Sequence, residues 1–233
     1  MGMIINPYRF ANPNTPPACI SDGNTVAWYI ADDLTTITKD GSNLVAQWND
    51  KLGSGHNLLQ STDTNKPTWS ADGITFNGSD NYMSTDSFAY DQPSFYYVVL
   101  KQITWTSNRS FWDGTYESFC TIKQNDTTPK LRVSGGGALW SNEDGNLSLD
   151  TFGIIRVLYY GASSKFIVNN NTQINGNWGT NGPHKFTLGC NKSKNYFSNI
   201  QVKEIILRKI SDSAGDETAI YNYLATKYGF ATI

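Results

Sequence analysis

Cleaving a glycosidic bond takes two carboxylates set about 5–9.5 Å apart, so the acidic residues are the first to place. The sequence holds four glutamates, Glu117, Glu143, Glu204 and Glu217. None has an acidic residue two positions away, the spacing that puts two side chains on one face of a strand. Glu143-Asp144 and Asp216-Glu217 are adjacent pairs, and adjacent strand residues face opposite ways. The first pair reads as a turn with Gly145, the second as the start of a helix. The two histidines, His56 and His184, lack metal-ligand spacing. There is no Gly-x-Ser-x-Gly elbow and no phosphate-cradling glycine loop. The Gly135–Gly137 run precedes Ala138-Leu139-Trp140, which reads as a hairpin or bulge. These absences predict that the chain is not an enzyme.

The material for binding is richer. Sugar sites pair aromatic faces with amide and carboxylate groups that meet hydroxyls. Four tryptophans lie near turns beside Asn108, Asp113, Asn177 and other polar residues. The candidate ligand-binding set is Trp105, Trp112, Trp140, Asn142, Asp144, Trp178 and Asn181. Each tryptophan has packing as its alternative role, and Trp28 and Trp48, in apolar strands, are expected to be buried. In the Asp50–Asn57 turn the glycines allow positive φ, and Asp50 can bond its own turn backbone. The alternative is a structural calcium held by Asp50. Calcium takes about six to eight oxygens, of which the sequence names one or two. No other cofactor is implied. The three cysteines, Cys19, Cys120 and Cys190, read as free thiols, with a Cys120–Cys190 bridge as the alternative.

These residues need elements to position them. Charged residues are sparse at 16% and aromatics rich at 13%, which suits many short strands joined by polar turns. β-rich segments recur at Thr25–Ile30, Leu44–Trp48, Ile74–Asn77, Phe95–Lys101 and Ser118–Lys123. They continue at Lys130–Ser134, Ile154–Tyr160, Lys165–Asn169, Lys185–Cys190 and Ile200–Arg208. In Val202–Leu207, Val202, Glu204 and Ile206 are expected on one face and Lys203, Ile205 and Leu207 on the other. Both faces are mostly apolar, as in a strand near the sheet centre. One helix is predicted near the C-terminus. Ser213 is its N-cap, Asp216 stands three residues on, Ile220, Tyr223, Leu224 and Tyr228 fall on helical spacing, and Gly229 closes it. Residues 1–24, with prolines at 7, 13, 16 and 17, read as an extended arm. Its apolar residues Ile4, Ile5, Tyr8 and Phe10 are candidates for docking on a partner, with packing on the domain as the alternative. Residues 25–233 form one domain.

The formal net charge is −2 and no basic run is present, so nucleic acid has no electrostatic footprint here. The longest apolar stretch, near Phe95–Leu100, is too short to span a bilayer. The N-terminus, broken by Pro7 and Arg9, does not read as a signal peptide.

"VAWYIADDLTTITKDGSNLVAQWNDKLGSGHNLLQ" (Val26–Gln60) carries Trp28, Ala31, Asp32, Trp48, Asp50, Gly53 and Gly55. "GITFNGSDNYM" (Gly73–Met83) and "FSNIQVKEIILRKISDSAGDETAIYNYLATKYGF" (Phe197–Phe230) follow. Together they resemble the laminin-G-like jelly rolls of the concanavalin A-like lectin/glucanase superfamily, over nearly the whole chain. The resemblance implies an all-β fold, a two-sheet antiparallel jelly-roll sandwich with one short C-terminal helix. The superfamily's glucanases carry a Glu-x-Asp-x-x-Glu strand motif, which this chain lacks. "MIINPYRFA" (Met3–Ala11) resembles the start of many tailed-phage virion proteins that carry this jelly roll. The expectation is a virion or extracellular surface protein without catalysis. Its arm would dock on other virion proteins, the chain would form a homo-oligomer, since virion parts sit on symmetry axes, and its sandwich would bind a host-surface glycan. A purely structural decoration protein and a divergent polysaccharide hydrolase are the alternatives.

Overall fold

The computed structural model describes residues 14–88, 90–115, 120–135 and 145–233. Two antiparallel sheets pack face to face as a sandwich, with one α-helix near the C-terminus. In the first sheet the path runs β15 (Ile174–Gly176), β14 (Ser164–Val168), β13 (Gly153–Tyr159), β8 (Ser94–Gln102), β17 (Asn199–Arg208), β6 (Gly73–Asn77) and β5 (Thr68–Ser70). β1 (Thr25–Ile30) pairs with the end of β17. The second sheet runs β12 (Gly145–Asn146), β11 (Lys130–Gly135), β10 (Cys120–Gln124), β9 (Ser110–Asp113), β16 (Thr187–Leu188), β7 (Met83–Ser84), β4 (Leu58–Leu59), β3 (Val45–Trp48) and β2 (Ile37–Lys39).

The near-continuous apolar runs of the first sheet have a simple cause: it is covered on both faces. In β8, Tyr96, Val98 and Leu100 enter the core between the sheets. Phe95, Tyr97 and Val99 alternate with them and pack under helix α1 (Ala214–Tyr228). β17 does the same with a shift of phase. Its register slips at Lys203, and a bulge inserts one residue into the alternation. Val202 therefore joins Ile205 and Leu207 in the inter-sheet core, while Ile206 lies under the helix. The strict alternation expected from the sequence placed Val202 with Ile206 and is corrected here.

The helix is capped as its sequence predicts. Ser213 Oγ accepts from the Asp216 amide at 3.1 Å and donates to Asp216 Oδ2 at 2.8 Å. Gly229 ends it in the left-handed region at φ 77°, where a side chain is disfavoured. Ile220, Tyr221, Leu224 and Ala225 bury against the sheet.

The arm expected over residues 1–24 lies partly outside the described residues, and Ile4, Ile5, Tyr8 and Phe10 all fall there. Its last part is not simply extended: Ala18–Ser21 form a 3-10 turn that buries Ile20 beside the helix. Among the described residues no helix is long and apolar enough to cross a membrane. The three cysteines are free.

Candidate functional site

The two sheets differ in what they show to the outside. The first is roofed by apolar contacts with α1. In the second, Ile122, Leu131, Val133 and Leu188 face the core. Alternation then turns Thr121, Lys123, Arg132 and Thr187 outward. A cleft of about 390 Å3 lies on that polar face. Ser110 and Asp113 of β9 and Thr121 and Lys123 of β10 line it, and the rim is made by Asn108, Asn191 and Tyr196.

The rim is built by local bonding. Gly189, at φ 90°, ends β16; its amide donates to the Phe111 carbonyl at 2.8 Å, and a Cβ there would stand 2.4 Å from Phe76 Cδ1. The chain then turns through Asn191, whose Oδ1 accepts from the Ser193 and Asn195 amides at 3.1 and 2.8 Å. Lys194 and Tyr196 hold positive φ, 58° and 53°, an uncommon state for residues with a Cβ. The Tyr196 carbonyl accepts from the Ser110 amide at 2.9 Å, which fastens the loop to β9. The result is an aromatic side chain 52% exposed at the edge of a polar cleft.

Asp113 sits at the base, 2% exposed. Its Oδ1 accepts from the Gly114 amide at 2.8 Å and its Oδ2 from the Lys192 amide at 3.0 Å. Burial pushes its carboxyl up to about 6; the two amides and the charges of Lys192 and Lys123 offset only part of that. Lys123 is shifted downward, to about 8, by burial and then by the positive charge of Arg132. Arg132 Nη2 donates to Asn108 Oδ1, joining a third strand to the rim.

Of the residues singled out in the sequence as ligand-binding, those that are described do not line this cleft. Trp112 lies in the inter-sheet core, its Nε1 donating to Tyr159 Oη at 3.1 Å. Trp178 is buried against Gly176, where a Cβ would meet its Nε1. Trp105 is half-buried in the loop before β9. Asn181 is exposed, and its carbonyl accepts from Gln92 Nε2 at 2.9 Å. Trp140, Asn142 and Asp144 lie outside the described residues. Asp50 serves its own turn: its oxygens accept from the amides of Trp28, Leu52 and Ser54 at 2.7, 3.2 and 2.7 Å. Among the described residues no group of three or more His, Cys, Asp or Glu is placed to hold a metal ion. Asn108 and Asp113 were visible in the sequence as polar neighbours of tryptophans. Lys123, Asn191 and Tyr196 carried no comparable signal beyond a polar turn ending in an aromatic residue.

No protein-family profile matches the sequence, and no curated protein does. Solved structures do match the fold. A GH54 α-L-arabinofuranosidase superposes with a TM-score of 0.66 at 13% identity, covering 91% of this chain and 66% of that one. Trypanosoma rangeli sialidase, in its covalent intermediate with 2,3-difluorosialic acid, gives 0.59 at 14% identity over 89% of this chain. This chain spans only 34% of the sialidase's length. Domain 4 of AbnA, a GH43 extracellular arabinanase from Geobacillus stearothermophilus in complex with arabinotriose, gives 0.58 at 11% identity. That match covers 86% of this chain and 98% of the domain. At such identities the shared property is the fold, a two-sheet β-sandwich that occurs within carbohydrate-active enzymes. The expectation that the chain is not an enzyme is overturned by these likenesses to glycoside hydrolases. A missing strand motif does not set the chain apart from that class, because fold and motif vary independently.

Proposed function

We propose that this chain is a carbohydrate-binding β-sandwich of the concanavalin A-like, laminin-G-like kind, and that it binds sugar in the cleft on the second sheet. The observation that carries the reading is Tyr196, an exposed ring at the rim of a cleft otherwise lined by hydroxyl, amide, carboxylate and ammonium groups. An aromatic face beside such groups suits a pyranose, which presents C–H on its faces and O–H at its edges. The fold's likeness to the arabinanase domain seen with arabinotriose supports the same class of ligand. A virion surface is the setting we propose, with residues 1–24 as the tether to other virion proteins, a host-surface glycan as the ligand and a homo-oligomer as the working form. The reading requires no cofactor.

The test is a glycan array probed with the full chain, followed by titration of the best ligand. Tyr196→Ala should weaken binding about ten- to a hundredfold, the effect of an aromatic contact at a binding centre, with an unchanged melting temperature. Equal affinity in the variant would remove the cleft as the site.

A second reading, glycoside hydrolysis, is favoured by Asp113. A buried carboxyl held near 6 is poised as a general acid. No second carboxylate lines the cleft among the described residues, so the reading needs a partner from elsewhere. If it holds, the full chain releases reducing ends from the bound glycan, and Asp113→Asn lowers that rate at least a hundredfold. Glycan that stays intact over days at pH 5–7 would dismiss it.

A further inference from the structure

Three of the four arginines among the described residues have fixed partners. Arg132 donates to Asn108 Oδ1, Arg156 to Glu217 Oε1 at 2.9 Å, and Arg208 to Asp212 and Asp22 at 2.8 and 3.0 Å. Arg109 differs. Its backbone is held, the amide donating to the Thr106 carbonyl at 3.3 Å and the carbonyl accepting from the Gln124 amide at 2.9 Å. Its half-buried guanidinium has no hydrogen bond, ion pair or ring contact among the described residues. A charge drawn partly out of water without a counter-ion carries a cost that an anion would offset. The side chain lines a pocket of about 70 Å3 at one end of the sandwich. There Asn77 ends β6, Asn199 begins β17 and Gln124 ends β10, while Thr104 and Thr106 belong to the turn between β8 and β9. The walls are set by local bonding. Gln124 Oε1 accepts from the Thr106 amide at 3.0 Å, and its Nε2 donates to the Thr104 carbonyl at 2.7 Å. Asn77 Oδ1 accepts from the amides of Ser79, Asp80 and Asn81 at 2.9, 3.2 and 3.2 Å. Gly78, at φ 76°, sits so close to Asn199 that a Cβ would stand 2.9 Å from Asn199 Cβ. Four groups on the wall have no partner among the described residues: the Arg109 guanidinium, the Thr104 and Thr106 hydroxyls and the Asn199 side-chain amide. All four can donate hydrogen bonds. Among the described residues no carboxylate lines the pocket, and Asp80, outside it, accepts from Asn77 Nδ2 at 2.8 Å and Asn81 Nδ2 at 3.2 Å.

We propose that this pocket is an oxyanion site, in which the Arg109 fork takes a sulfate, phosphate or carboxylate group and the threonine hydroxyls and Asn199 close around it. A guanidinium matches such groups through paired N–H donors. The volume admits a group of a few heavy atoms, not a sugar ring. The pocket is distinct from the sugar cleft. Arg109 and Phe197 do not line the cleft, although their chain neighbours Asn108, Ser110 and Tyr196 do. The oxyanion therefore comes either as a free ion or as an acidic substituent on a glycan seated in the neighbouring cleft. The site does not depend on the carbohydrate reading.

The experiment titrates the isotope-labelled full chain with sodium sulfate and sodium phosphate by NMR, at an ionic strength held constant with NaCl. The arginine Nε–H signals are followed, and the Arg109 signal is identified by its loss in Arg109→Gln. That signal should move and saturate while those of Arg156 and Arg208 stay in place. Arg109→Gln, read through the Thr104 and Thr106 amides, should bind the same ions at least about tenfold more weakly. Arg109→Lys, which keeps the charge but not the fork, should fall between the two. Both variants should fold, since the side chain bonds nothing among the described residues. If chloride moves the Arg109 signal as far as sulfate does, or if Arg109→Gln binds the ions as tightly, the proposal is overturned. A second titration compares a sulfated oligosaccharide with its neutral parent. If the sulfated sugar displaces the ion from Arg109 at about a tenth of the ion's own concentration or less, the source is a glycan; if the two act at equal concentration, it is the free ion. If neither sugar binds anywhere, the carbohydrate reading falls and the oxyanion site stands on the ion alone.

Discussion

Glu204→Ala is expected to destabilise the protein by about 3–5 kcal/mol, the cost of removing one partner from a buried charged network. Glu204 lies on β17 beneath helix α1 and is fully buried. Its Oε1 accepts from Trp28 Nε1 at 2.8 Å and Tyr223 Oη at 3.0 Å. Its Oε2 accepts from Lys227 Nζ at 2.8 Å and Tyr228 Oη at 2.7 Å. Three of the four donors belong to the helix, so one carboxylate fastens the helix to the sheet. Burial and then the Glu204 charge drive the phenols of Tyr223 and Tyr228 well above the usual range, which keeps them protonated as donors. Alanine would leave the Trp28, Tyr223 and Tyr228 donors without that acceptor, each carrying its own desolvation cost, while Lys227 Nζ keeps Asp32 Oδ1 at 3.2 Å. Urea denaturation of the variant measures the loss. Glu204→Gln should cost less, because it keeps one acceptor oxygen. A loss under about 1 kcal/mol for alanine would show that the helix is held by apolar contact alone. The consequence reaches the cleft: with the helix fixed over the first sheet, the second sheet supplies the open face of the sandwich.

The sequence made the covered parts of this fold readable and left the open face obscure. Strands β1, β8, β13 and β17 stood out because burial on both faces demands unbroken apolar runs. The terminal helix stood out because Ser213, Asp216 and Gly229 are local signals that act within one turn of chain. β9 was missed: Ser110–Asp113 is four residues, flanked by a polar loop, with no alternation long enough to register. The cleft gathers β9 and β10, which are neighbours in the chain, and the 191–196 loop, which lies far along it. Only pairing brings them together, and no spacing rule reports that. Tryptophan misled for a physical reason. The ring's large area is best used in a core, which is where Trp112 and Trp178 went. The smaller aromatic at Tyr196 was left at the surface. The slip at Lys203 shows the same limit within a single strand, since one inserted residue reverses every face after it.

Between pH 4 and pH 7 the stability of Asp113→Asn, measured against the native chain, should shift by about 3 kcal/mol in the variant's favour. In the unfolded chain the carboxyl titrates at its ordinary value of 3.8, and in the fold at about 6. Over that window the folded protein keeps a proton that the unfolded chain has lost. Native stability must therefore fall as pH rises from about 4 to 6 and stay reduced above it. Asparagine carries no such proton, so the variant escapes the fall. Two units at about 1.4 kcal/mol each set the size, and the burial of Asp113 means solvent screening takes little from it. The comparison is also clean. Burial would raise the Asp22 carboxyl, but hydrogen bonds from Arg208 and Asn24 hold it down to about 2. It thus titrates below the window, and equally in both proteins. The variant also loses one of the two acceptors that serve Gly114 and Lys192, a constant offset that does not change with pH. Denaturation of both proteins at pH 4, 5, 6 and 7 reads the slope directly. A rising difference would mean that the native chain keeps a charged, buried carboxylate at neutral pH against its own stability, as expected of a group retained for a ligand or a reaction. A flat difference would place Asp113 in contact with water and remove both its role as a proton donor and its claim to shape the cleft.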